Sequence, residues 1–237
     1  MRADEAYESD IPPEAEPRVL LRHADGAPEQ VEYWLDGEQV GLRYLRPDGS
    51  LEAEWPYRRG VRHGRVYRWD EPGVLLNMEP YVDGLPHGTA YQWTRDGRVI
   101  GTYTMHRGTG IDLWWHEDFH GRYVLTEVHP RLNGPLHGCQ WWINHDQVTV
   151  HEERHWLQGE LHGIERVWNH QGKLRRGYPR YWIRGERTDK RRYLRTAAKD
   201  PVLPPYLEED QLPGRTFPPE IARHLGPREP LPAGEAS

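Results

Sequence analysis

In 237 residues the chain has one cysteine, Cys139, and only two phenylalanines and three methionines. A single cysteine excludes an internal disulfide and fits a reducing compartment. Hydrophobic residues make up 36% and the mean hydropathy is −0.95, which is lean for a thick two-layer core. No apolar run approaches the roughly 20 residues that a helical membrane span needs. The stretch MRADEAYESDIPPEAEP is acidic and lacks the apolar centre of a secretion signal, so the expected location is the cytoplasm. No P-loop, GxSxG, GxGxxG or CxxC pair is present, which leaves the usual nucleotide, acyl-transfer and thiol-redox chemistries without a starting point. The expectation is a protein that is not an enzyme and carries no cofactor.

What is abundant is equally specific: 11 Trp, 13 Tyr, 24 Gly and 14 His. Tyr and Trp carry a polar handle and suit half-wet surfaces better than dry interiors. They recur in phase with glycine, in YWLDGEQVG (33–41), YRRGVRHG (57–64), YVDGLPHG (81–88), MHRGTG (105–110), LNGPLHG (132–138), WLQGELHG (156–163) and WIRGER (182–187). The first glycines, Gly37, Gly60, Gly84, Gly108, Gly134, Gly159 and Gly185, are 23 to 26 residues apart. Four rungs carry a His-Gly pair, at His63, His87, His137 and His162. About ten residues further on comes another turn signal, at Asp48-Gly49, Pro72-Gly73, Asp96-Gly97 and Gln171-Gly172. Alternating large residues bounded by glycine turns make short strands, and glycine accepts the positive φ of a tight hairpin turn. Each unit therefore reads as one β-hairpin, stabilised against its neighbours in series.

The pattern YxxGxxHGxxxxW…GxL resembles MORN repeats, specifically the bacterial MORN-variant form, over roughly residues 31 to 193. Rungs 57–64, 81–88 and 156–163 match it best. Rung 105–110 departs from it, with Met105 in the aromatic position and no His-Gly pair. The stretch 116–134 is longer than the pattern and is expected to hold an insertion or bulge. The resemblance implies an all-β, elongated single-layer antiparallel meander of six or seven hairpins. It also implies a scaffold that binds a protein partner. Bacterial members of similar length include antitoxin or immunity proteins that neutralise a toxin by binding it, and some family members associate with anionic membranes.

HEERH at 151–155 matches the HExxH pattern of zinc proteases, which sets a zinc hydrolase beside the scaffold reading. That chemistry needs a helix, on which residues four apart are neighbours. On a strand the two histidines stand about 13 Å apart, beyond the reach of one ion. VTV before it and the repeat phase around it predict a strand, so no metal site is expected. HEDFH at 116–120 meets the same objection. The four His-Gly histidines read as structural hydrogen-bonding groups, and Cys139 as a small buried filler with nothing to activate it.

Residues 173–199 carry 11 Lys/Arg against 2 acidic residues, a local charge of +9, whereas the whole chain is at −6. Such a segment can grip anionic lipid or nucleic acid, or it can pair with the acidic ends. Residues 1–18 are expected to be disordered, 19–195 to form the repeat domain, and 196–237 to be a Pro-rich tail. A short helix is expected at 218–225, with Phe217, Ile221 and Leu225 turned inward against the last strand. Exposed aromatics with nearby arginine are the usual anchors of protein interfaces. The candidate contact residues are Tyr67, Trp69, Tyr91, Trp93, Trp115, Trp141, Trp168, Arg180, Tyr181, Trp182 and Arg184.

Overall fold

Short strands joined by glycine turns make an open antiparallel meander, and the fold is all-β. The structure is a computed structural model and describes residues 2–226. It divides into two compact units, one ending at Gly110 and the other starting at Ile111.

The first unit contains β1 (Glu16–Arg22), β2 (Pro28–Leu35), β3 (Glu38–Leu45), β4 (Leu51–Arg58), β5 (Val61–Arg62), β6 (Gly64–Glu71), β7 (Val74–Val82), β8 (Leu85–Pro86), β9 (Gly88–Trp93) and β10 (Val99–His106). β1 pairs with β2, β2 with β3 and β3 with β4; the ladder continues through β6, β7, β9 and β10. β11 (Thr109–Glu117) starts at the end of this unit. The second unit continues with β12 (Tyr123–Arg131), β13 (Gly138–Ile143), β14 (Val150–Leu157), β15 (Glu160–Leu161), β16 (Gly163–Val167), β17 (Arg180–Ile183) and β18 (Glu186–Thr188). There β12 pairs with β13, β13 with β14, β14 with β16, β16 with β17 and β17 with β18.

Local chemistry sets the turns. At each rung the first glycine and the residue before it both have positive φ, as in Asp83 (50°) and Gly84 (84°). Two consecutive positive φ values define the two-residue turn whose twist matches a hairpin, which is why Gly follows Asp, Arg, Asn or Gln there. At the opposite end of each unit a polar side chain closes the loop. Thr94, Asp118 and Asn169 each accept the backbone N–H four residues on. The Asp118 loop is thus an ordinary member of the series, and the strands that flank it, β11 and β12, run nine residues each.

Both ends of the chain differ from expectation. Residues 2–15 are ordered on the first unit: α1 (Ala3–Ala6) leads into Tyr7, and Ala6, Ile11 and Ala15 are buried. The acidic residues that suggested disorder serve as anchors, since Glu8 and Asp10 both pair with Arg65 at 2.9 and 2.6 Å. After β18 the repeat stops at Thr188, and α2 (Lys190–Ala197) follows, capped by the Asp189 carboxylate accepting from the Arg192 N–H. Downstream, α3 (Pro219–Ala222) falls inside the expected 218–225 helix. Its surroundings do not match, because the segment that carries α3 crosses the face of β13 and β14, and only the earlier part of the tail packs on the last hairpin. A backbone bridge joins Gly214 to Thr149, and Gly226 donates to the Gln147 side chain. Phe217 and Ile221 are buried and Leu225 is half-buried. The remainder of the expected tail, 227–237, lies outside the described residues.

Candidate protein-binding face

The His-Gly histidines form a ladder of acceptors. The Nδ1 of His63 accepts from the Asp83 N–H at 3.3 Å, that of His87 from the Arg107 N–H at 3.1 Å, and that of His162 from the Arg184 N–H at 3.0 Å. In each case the donor is the first positive-φ residue of the next rung's turn. The neighbouring glycine N–H completes the stitch: Gly84 donates to Arg62 O, Gly108 to Pro86 O and Gly185 to Leu161 O, at 2.7–2.9 Å. A backbone N–H can only donate, so these rings keep Nδ1 unprotonated and carry their proton on Nε2. The fourth histidine, His137, meets the Gln158 side chain instead, at 3.4 Å.

Each unit has one face covered by a chain end, and most of the candidate aromatics lie beneath that cover. In the first unit Tyr67, Trp69 and Trp93 form a buried cluster with Ala6, Leu75 and Met78, against which Tyr91 packs half-buried. Tyr7 lies edge-on to both Tyr67 and Trp69 with ring centroids at 5.1 Å. The Tyr67 hydroxyl donates to backbone oxygens of the same segment. In the second unit Trp115 meets His224, Trp141 meets Phe217, the Trp168 indole donates to Gln211 O, and Tyr181 packs on Tyr193 and Tyr206. Six of the eleven candidates, Tyr67, Trp69, Trp93, Trp115, Trp168 and Tyr181, are therefore buried core residues. They are not open contact residues, because the chain's own ends occupy the surface they line.

Beneath the second cover lies a polar lock. Glu153, 3% exposed, takes hydrogen bonds from Arg166, from Arg215 of the tail at 2.7 Å and from the Trp141 indole at 2.9 Å. Burial alone would raise its pKa, but His155, Arg215 and Arg166 hold it down to about 2. The ligand atoms of Cys139, Glu153 and His155 lie within 4.8 Å of one another. Both carboxylate oxygens are already engaged, however, and two guanidiniums border the group, so the arrangement disfavours a cation. Burial and the Glu153 charge push the Cys139 thiol well above its ordinary range, away from a thiolate. HEERH is extended, as its strand reading predicts. His155 lies under the tail, while Glu152 sits opposite Trp142 on the other face, beside Arg154. The helical HExxH geometry is not formed.

That other face of the second unit carries a different aromatic row. The indole of Trp156 donates to Gln140 at 2.7 Å, and that of Trp182 to Glu165 at 3.0 Å. Arg154 lies over the Trp142 ring at 5.1 Å, and Arg180 over Tyr178 at 4.3 Å. Trp142, Trp156, Trp182, Arg154 and Arg180 are all half-buried, and every contact of the tail named above falls on the opposite face. Only Trp182 and Arg180 were among the expected contact residues, with Arg184 exposed at the adjoining turn. The missed signal is the partner of each indole: a Glu or Gln across the strand holds Trp156 and Trp182 in place. Comparison with protein-family models and with curated protein sequences gives no match.

Proposed function

We propose that this protein is a MORN-type, non-enzymatic scaffold that binds a protein partner through the open face of its second unit. The observation that carries the reading is the row Trp142, Trp156 and Trp182, half-exposed and pinned by polar contacts beside Arg154 and Arg180. Trp and Arg dominate interface energetics, and side chains already fixed in place lose little entropy on binding. A toxin is the partner class that the resemblance to antitoxin-like MORN-variant proteins implies. The test is capture from the native host by immobilised protein, with mass spectrometry, comparing the wild type with a Trp156→Ala, Trp182→Ala double variant. A partner lost from the double variant, with folding intact by circular dichroism, supports the reading. A partner retained equally by both overturns it.

A further inference from the structure

Among the described residues, the strongly basic segment 173–199 keeps most of its charge uncompensated. Its contact with the acidic tail is Lys190 to Glu208 at 3.9 Å, and Arg192 reaches Glu186 at 3.8 Å, all with exposed side chains. Among the described residues, Arg184, Arg187, Arg191, Arg195 and Lys199 are exposed and make no salt bridge. Asp210 of the tail faces Arg166 instead, at 3.6 Å. Helix α2 is fixed to its unit by Tyr193, which is fully buried and donates its hydroxyl to Pro204 O at 2.6 Å. That anchor presents Arg192, Arg195 and Lys199 along one side of a shallow cleft with Thr196 and Pro201. The Asp200 carboxylate in the cleft is turned to the Val202 N–H and His162.

We propose that α2 and its flanking arginines bind the phosphate backbone of nucleic acid, without reading base sequence. Arginines match phosphate oxygens in a bidentate fork. On α2, Arg192 and Arg195 stand roughly 4.5 Å apart along the axis and Lys199 follows just past its end, so the three cations form a short row that can follow a phosphate backbone. The aromatics interleaved with these cations decide against base stacking. Tyr181 and Tyr193 are buried, Tyr178 lies under Arg180, and the Trp182 indole is held by Glu165. Only Trp182, half-exposed on β17, keeps part of its ring open, and α2 itself presents no ring to stack on a base. The same burial disfavours a membrane surface, which would need exposed aromatic or aliphatic residues, and this segment exposes only Leu194 among its large hydrophobics. The proposal is independent of the protein-binding reading.

The test is fluorescence anisotropy of the full chain with short labelled DNA duplexes of two unrelated sequences, beside co-sedimentation with anionic phospholipid vesicles. The expected result is equal binding to both duplexes, weakening about 40-fold between 50 and 200 mM salt if three phosphates are contacted. Arg192→Glu, Arg195→Glu, Lys199→Glu in one chain should abolish binding at low salt without moving the melting temperature. Absence of binding by the wild type at 50 mM salt, equal binding by the folded triple variant, or binding to vesicles alone would each overturn the proposal.

Discussion

A buried histidine that accepts a backbone N–H is a point where chemistry and stability meet. His162 is 2% exposed and its pKa is lowered, chiefly by burial and against the pull of Asp200. His155 is lowered in the same way, chiefly by burial and against Glu153. In the unfolded chain both rings bind a proton near pH 6.5, whereas in the fold both stay neutral to lower pH. Between those limits the unfolded state holds more protons, so their contribution is fully present above about pH 6.5 and is lost as pH falls. Urea denaturation at pH 7.5 and 5.5 should show lower stability at the acid value, and His162→Ala should remove part of that difference. The same substitution at neutral pH should cost about 1–3 kcal/mol, since it leaves the Arg184 N–H without its acceptor. Gly163, the glycine that follows, has φ 145°, and an added Cβ would meet the His155 Cβ at 2.4 Å. Gly163→Ala should therefore lower stability by about 2–4 kcal/mol in the same assay.

Among the elements, the hairpins were readable from sequence because their determinants are local. A glycine three residues after an aromatic marks five of the seven rungs, and all seven have the paired positive φ values that only a few residue types tolerate. One loop hid itself by lacking glycine. Gln147 takes φ 59° at the position glycine fills in its counterparts, held by donating to Leu125 O and Asn144 O. The faces were not readable, because alternation assigns Trp141 and Trp142 to opposite sides without saying which side a distant segment covers. That depends on contacts such as Arg215 to Glu153, 62 residues apart. Helix α2 was masked by its charge, although Asp189 ahead of it and the Tyr193–Ala197 spacing were available as signals. The tail's role has a direct consequence. Arg215→Ala leaves Glu153 short of a partner under cover and should cost about 3 kcal/mol by thermal or urea denaturation, whereas Arg215→Ala combined with Glu153→Gln should recover part of the loss.

At the scale of the molecule, the ends of the chain and its repeats divide the work. The ends seal one face of each unit, and the second unit keeps a row of tryptophan and arginine on its other face. The basic helix lies beyond the repeats with its arginines exposed, in a chain whose net charge is −6. Adjacent residues on one strand thus lie on opposite faces, and under the proposed function a partner meets one set and not the other. The most direct measurement places a photo-crosslinking amino acid at Arg154 on the open face or at exposed Thr216 on the outer side of the tail, followed by irradiation in the native host. The account predicts a discrete crosslinked partner from position 154 and none from 216. A partner captured at 216 and not at 154 would contradict it.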